Sequence, residues 1–174
     1  MTLTLKLKCD KIILNFNFGG KNMKGIMFVC TGNICRSAMA HHYCQKRLYD
    51  LKKENDIFVS SCGTSAVTGD RSTQNAISVM KNYDVDLTTH KATSMFDIDV
   101  ENYDLILCMT EQHKYNFLAF YPKMKDKVFT LKEYVLGNDI DNVDIDDPWG
   151  YDIKIYNACA KEIVYCVDKL LEKI

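Results

Sequence analysis

FVCTGNICRS, at residues 28–37, is the stretch that decides the fold of this chain. The apolar run at residues 25–29 predicts a buried strand, and a helical pattern begins at Ser37. The short connection between them contains Gly32 and Asn33, two residue types that accept a positive φ. A strand, a small-residue loop and a helix N-terminus together direct several backbone N–H groups into one hollow, which predicts an anion-binding loop.

Two side chains of this loop suit nucleophilic chemistry on a phosphate-like group. Cys30 stands at the end of the predicted strand, and Arg36 follows it within the same loop. The guanidinium of Arg36 offers a planar fork of donors to a tetrahedral oxyanion. The field of the N–H groups and of Arg36 favours the Cys30 thiolate, which is the reactive nucleophile. The Cys-x5-Arg spacing alone is weak evidence, but the strand before it, the helix after it and Ser37 beside Arg36 make it specific.

Composition limits the classes to which this protein can belong. With 174 residues, of which 47% are hydrophobic, the chain is long enough for one globular domain with its own core. A net charge of −1 argues against nucleic acid or an anionic membrane as a partner. No apolar run approaches the roughly 18 residues of a membrane span. Four of the eight cysteines, Cys44, Cys108, Cys159 and Cys166, fall inside predicted helices or strands, so we expect free thiols in a reducing cytoplasm.

We expect neither a metal nor another cofactor. No group of Cys and His residues has the spacing of a zinc site. The acidic stretch at residues 137–147 lacks the glycine turn and terminal Glu of a calcium loop. His41 and His42 are adjacent in a predicted helix, where neighbouring side chains project in different directions. We therefore expect these two histidines to pack or face solvent, not to chelate together.

The first 22 residues differ in pattern from the rest of the chain. Apolar residues alternate loosely with polar ones, as in an edge strand, and the continuous apolar segment of a secretory signal is missing. Two interpretations stay open: an added hairpin, or a leader that is not translated, which we favour. We accordingly divide the chain into an extension at 1–22 and a single domain at 23–174.

Strands and helices alternate along that domain. Further apolar runs predict strands at residues 57–61, 103–109 and 127–131. Helical spacing of apolar residues begins at Ser37, at Ser72 or Thr73, at Thr110 and at Ile153. This order predicts an α/β fold, a three-layer sandwich around a four-stranded, mostly parallel sheet, with the phosphate-binding loop after the first strand.

CTGNICRS after an apolar strand, together with the single Asp-Pro pair at Asp147-Pro148, resembles the low-molecular-weight protein tyrosine phosphatases. The resemblance extends over residues 23–174. It implies a phosphatase that acts on phosphorylated proteins without a cofactor, with Cys30 as nucleophile, Arg36 as phosphate ligand and Asp147 as general acid. Asp146 is the fallback for the acid. The remaining loop residues would bind phosphate, and these are Thr31, Gly32, Asn33, Ile34, Cys35 and Ser37.

The resemblance also implies supporting residues. Ser61 matches a serine at the end of the strand beside the loop, and His90 matches a histidine hydrogen-bonded to the loop asparagine and serine. Trp149 stands where the family carries an aromatic residue, which stacks on a flat phosphorylated side chain. Cys35 is close enough in sequence to Cys30 for a protective reversible disulfide, with plain packing as the alternative.

The family resemblance leaves two candidate substrates, phosphotyrosine and phosphoarginine. Residues 128–134 and 147–150 look closest to a bacterial branch that includes protein-arginine phosphatases, but that subtype carries Thr where this chain has Ile34. Apolar bulk at Ile34 suits an aryl ring, so we predict phosphotyrosine, with phosphoarginine as the alternative. An arsenate reductase needs two further cysteines, and residues 81–107 contain none. A non-catalytic phosphate-binding module would lack Cys30, Arg36 or the acid Asp147, and this chain has all three. The oligomeric state stays open.

Overall fold

β1 (Lys24–Cys30) is a central strand of a four-stranded sheet whose order is β2-β1-β3-β4. This is a computed structural model, and it describes residues 24–137 and 139–174. The other strands are β2 (Ile57–Gly63), β3 (Leu105–Cys108) and β4 (Val128–Thr130). All three strand pairings are parallel. The predicted α/β fold is confirmed, and the carboxyl ends of all four strands meet at one edge of the sheet. The extension at 1–22 lies outside the described residues.

Helices cover both faces of the sheet, as the period of the apolar residues predicted. They are α1 (Arg36–Asp50), α2 (Gln74–Met80), α3 (Glu111–Phe120), α4 (Leu131–Leu136) and α5 (Ile153–Lys173). Alternate residues of β1 point into two separate cores. Phe28 packs in the core that α1 and α5 cover, whereas Val29 packs in the core that α3 covers. Among the described residues, no helix combines the length and apolar character that crossing a membrane requires.

Side-chain caps set several helix starts. Thr73 accepts a hydrogen bond from the backbone N–H of Ala76 and begins α2, and Thr110 begins α3 in the same way. The short helix α4 was not predicted from the sequence. Its signal is a capping box, in which Thr130 and Glu133 each bond the other's backbone N–H. A helix of this length has too few apolar repeats to be recognised by periodicity.

Candidate active site

The loop after β1 wraps around the sulfur of Cys30. Asn33 adopts φ 55°, the left-handed conformation that the small-residue loop predicted. This turn aims the Asn33 backbone N–H at Cys30 Sγ, at 3.3 Å. Ser37 Oγ lies 3.0 Å from the same sulfur. Cys30 is buried, so the sulfur sits at the floor of the loop with two polar groups directed at it.

Asn33 and Ser37 hold each other in place behind the sulfur. Asn33 Nδ2 donates to Ser37 Oγ at 2.8 Å and to Ser61 Oγ at 2.9 Å. Asn33 Oδ1 accepts a hydrogen bond from the backbone N–H of Thr93 at 2.9 Å. Because Ser37 Oγ accepts from Asn33, its own hydrogen can be donated to a Cys30 thiolate at 3.0 Å, a shorter contact than the 3.5 Å to the Cys62 carbonyl oxygen.

Two histidines complete this buried network. His90 Nε2 donates to the Asn33 carbonyl oxygen at 2.7 Å. His41 Nδ1 lies 3.1 Å from Ser61 Oγ, a contact that the sequence analysis missed. Burial, and then the neighbouring His42, lower the pKa of His41 to about 3. Burial also lowers the pKa of His90. Both rings are therefore neutral at pH 7.

The end of β2 lies directly against the loop, as the resemblance implied. The backbone N–H of Thr64 donates to the Cys30 carbonyl at 2.9 Å, and that of Ser65 donates to the Thr31 carbonyl at 3.0 Å. Gly63 makes this approach possible, because a Cβ at Gly63 would lie 2.4 Å from the Thr31 carbonyl oxygen. No residue with a side chain fits there unless the loop moves.

Arg36 and Asp147 meet across the mouth of the loop. Arg36 Nη2 donates to Asp147 Oδ2 at 2.6 Å, and Arg36 Nη1 donates to the Ile145 carbonyl at 3.0 Å. Arg36 Nε is buried and has no hydrogen-bond partner within the described part of the chain. The guanidinium thus keeps one buried donor available, and its bond to Asp147 holds the carboxylate at the same cleft that Cys30 lines.

A cleft of about 300 Å³ opens above the Cys30 sulfur. Every residue that lines it was among the predicted site residues: Cys30, Thr31, Gly32, Ile34, Cys35, Arg36, Asp147 and Trp149. Trp149 is 64% exposed and its backbone N–H donates to Asp147 Oδ1. Asp146, the fallback acid, does not line this cleft. The structure therefore brings together side chains from residues 30–36 and 147–149, which are far apart in sequence.

The Cys35 thiol contacts the residue that caps α2 and a residue of α5. Cys35 Sγ lies 3.2 Å from the Tyr156 hydroxyl and 3.4 Å from Thr73 Oγ1. Burial is the main reason why the pKa of the Cys35 thiol is raised, and the nearby Cys30 raises it further. Every cysteine that the structure describes is a free thiol. The redox role of Cys35 stays a prediction.

His113 is a further site residue that the sequence analysis missed. Its Nε2 lies 2.8 Å from Thr31 Oγ1, and its Nδ1 lies 2.8 Å from Thr110 Oγ1. Burial, and then the positive charge of Arg36, lower the pKa of His113 to about 4. The available signal was position: α3 begins just after β3, at the same sheet edge as the phosphate loop.

The expectation that His41 and His42 point apart is wrong. Their ring centroids lie 4.5 Å apart with a tilt of 32°, and His42 Nε2 lies 3.0 Å from His90 Nδ1. The direction of adjacent helical side chains is set at Cβ, but the imidazole rings turn back towards each other beyond it. Burial, and then His90, lower the pKa of His42 to about 4.

Comparison with known proteins identifies a family for this chain. Residues 25–174 match the family described as low molecular weight phosphotyrosine protein phosphatase. A protein-arginine-phosphatase of Geobacillus stearothermophilus is 35% identical over 149 residues, which cover 86% of this chain and 95% of that relative. The low molecular weight protein-tyrosine-phosphatase PtpB of Staphylococcus epidermidis is 34% identical over 146 residues, covering 83% and 95%. A crystal structure of a low molecular weight protein tyrosine phosphatase from T. tengcongensis aligns with a TM-score of 0.79 and 36% identity, covering 87% of this chain and 99% of that chain.

Proposed function

Because this chain belongs to the low molecular weight phosphotyrosine protein phosphatase family, we propose that it hydrolyses phosphotyrosine in proteins through a phosphocysteine intermediate. Cys30, at the floor of the cleft, is the nucleophile, Arg36 binds the phosphoryl oxygens, and Asp147 transfers protons. The observation that supports this assignment most directly is that all three residues line one cleft of about 300 Å³.

In the first step the Cys30 thiolate attacks phosphorus, and the bond from phosphorus to the tyrosine oxygen breaks. Negative charge on the equatorial oxygens is stabilised by loop N–H groups and by the guanidinium of Arg36. Arg36 Nε is suited to this because it is buried and lacks a hydrogen-bond partner among the described residues. Binding a phosphoryl oxygen at Nη2 would compete with the Asp147 carboxylate, which frees Asp147 to face the leaving oxygen.

Asp147 then supplies the proton that the leaving tyrosine oxygen requires. As a carboxylate it takes a proton from water, and that water attacks the phosphocysteine. The phosphorus–sulfur bond breaks, inorganic phosphate leaves, and the thiolate of Cys30 is restored. Ser37, at 3.0 Å from the sulfur, donates a hydrogen bond that stabilises the departing thiolate.

The walls of the cleft favour an aromatic substrate. The half-buried Ile34 and the exposed Trp149 both line the opening and present apolar surface above the sulfur. A phenyl ring buries apolar area against these side chains, whereas the charged guanidinium of phosphoarginine loses hydration without a polar partner at Ile34. Phosphoarginine is the second candidate, since a protein-arginine-phosphatase is 35% identical to this chain.

One peptide scaffold that carries either phosphotyrosine or phosphoarginine tests the substrate. We expect wild type to show a kcat/KM about tenfold or more higher on phosphotyrosine. Ile34→Thr should narrow that ratio, and Ile34→Val, which keeps the apolar wall, should leave it unchanged. Cys30→Ser should turn over neither peptide.

The outcomes separate the chemistry from the specificity. If wild type prefers phosphoarginine, the choice of substrate is wrong while the cysteine mechanism stands. If Cys30→Ser keeps wild-type turnover, the mechanism itself is wrong.

For the location of the protein we propose the cytoplasm, which the free thiols of the described cysteines support.

A further inference from the structure

Three histidines meet behind the phosphate loop, on the side away from the cleft. His41 and His42 belong to α1, and His90 belongs to the segment between α2 and β3. One ring nitrogen from each residue lies within 4.8 Å of the other two. None of the three side chains lines the substrate cleft. This cluster is therefore separate from the substrate cleft, and the proposed reaction assigns no joint role to the three histidines.

The hydrogen bonds of the cluster fix which nitrogens are available. His90 Nε2 donates to the Asn33 carbonyl at 2.7 Å, so the lone pair of the neutral ring lies on Nδ1. His42 Nε2 lies 3.0 Å from that Nδ1 and carries the hydrogen between them. An imidazole whose other N–H is anchored on a backbone carbonyl is the arrangement found around metal-bound histidines.

We propose that His41, His42 and His90 form a binding site for a divalent first-row transition ion such as zinc. Three neutral imidazoles are ligands that zinc, nickel and copper accept, and a fourth position stays open for water. Zinc–nitrogen bonds of about 2.0–2.1 Å place tetrahedral ligands somewhat more than 3 Å apart. Small ring rotations from the observed separations, all within 4.8 Å, reach that geometry.

Binding requires no net loss of a proton. The hydrogen on His42 Nε2 moves to Nδ1 of the same ring, which leaves an Nε2 lone pair for the ion, and His90 already presents Nδ1. His42 is half-exposed, so the ion can enter from solvent. The carboxylate of Asp86 acts electrostatically on His42 and offsets part of the charge that the ion brings. This site departs from the sequence-based expectation of no metal.

Zinc titration by calorimetry tests the site, and Cys30→Ser is the background because a thiolate at Cys30 would itself bind zinc. We expect one site per chain in Cys30→Ser. Adding His42→Gln keeps a donor towards His90 but removes one ligand, and should weaken zinc binding about 10- to 100-fold. The matched control is His113→Gln, which removes the one histidine outside the cluster and should bind zinc as the background does.

Two further readouts keep the result interpretable. Melting temperatures without metal should agree for the background and His42→Gln, and zinc should raise only that of the background. Cobalt absorption in the background should lack a thiolate charge-transfer band, since the proposed ligands are nitrogens. Equal zinc affinity of the background and His42→Gln would overturn the proposal. So would zinc binding that is lost on Cys30→Ser, because the ion would then sit on the catalytic sulfur.

Discussion

The two sides of the phosphate loop are built differently. Behind the loop, Asn33 and Ser37 are fully buried. The side-chain amide of Asn33 donates hydrogen bonds through Nδ2 and accepts one through Oδ1. In front of it, the Asp147 side chain is 48% exposed and Trp149 is 64% exposed. The buried side fixes the shape that any phosphoryl group meets. The exposed side, where we propose that the proton is supplied and the rest of the substrate is bound, can vary without disturbing that shape.

The largest effect should come from the exposed side, at Asp147. Asp147→Asn removes the proton donor and should lower kcat on phosphotyrosine peptides by about 10²- to 10⁴-fold. The loss should be smaller on p-nitrophenyl phosphate, whose leaving group needs little protonation. The unfolding free energy should change less than the activity, because the Asp147 side chain is 48% exposed and solvent screens its bond to the buried Arg36. Steady-state kinetics on both substrates measure the contrast, and equal losses on the two would contradict the acid role.

On the buried side, Asn33→Ala should damage stability and catalysis together. It deletes three side-chain hydrogen bonds, at about 1 kcal/mol each, and places Ala at φ 55°. Asn33→Gly is the matched control, because it loses the same bonds but accepts a positive φ. We expect Asn33→Gly to be about 1 kcal/mol more stable than Asn33→Ala in urea unfolding. Wild-type stability of either variant would show that the network is not what holds the loop.

His113 lies against the phosphate loop through its bond to Thr31, and its pKa predicts a pH dependence. The native pKa of about 4 lies below the ordinary value of 6.5. Above pH 6.5 the ring is neutral in both states, and the stability contribution is complete. As the pH falls towards 4 only the unfolded chain gains the proton, so stability falls by up to about 1.4 kcal/mol per pH unit.

Comparison of wild type with His113→Gln isolates this contribution. Urea unfolding at several pH values should give a shallower decline for His113→Gln below pH 6.5. The other buried histidines act in the same direction in both proteins, so they cancel in the difference. Parallel curves for the two proteins would mean that His113 titrates normally in the native state.

The smallest effect should come from Trp149→Ala, again on the exposed side. Loss of one stacking contact should raise KM for phosphotyrosine peptides about three- to tenfold, which corresponds to about 1 kcal/mol. Trp149→Phe is the control and should recover most of the affinity. The melting temperature should be unchanged in both variants. A large fall in kcat for Trp149→Ala would instead show that the Trp149 side chain helps to position Asp147, since the backbone N–H that bonds Asp147 Oδ1 is kept in this variant.

The sequence was sufficient for the parts that one local pattern encodes. Cys30 and Arg36 belong to a strand-loop-helix pattern, so their position on one loop and the surrounding fold could be predicted together. His113 and His41 could not, because their contacts with Thr31 and Ser61 depend on how separate elements pack at the sheet edge. For α4 the decisive signal was a capping pair and not apolar periodicity. The turn of the His41 and His42 rings towards each other depends on rotamers, which residue spacing does not specify.

Ile34 has a consequence for how easily this enzyme could change substrate during evolution. Every isoleucine codon becomes a threonine codon by a change of its second base alone. If the wall at Ile34 sets the choice of phosphoamino acid, a single point mutation moves the enzyme towards a different signalling chemistry. The buried network behind the loop would be untouched by that change, so the mutant would keep a folded, working phosphate site from its first generation.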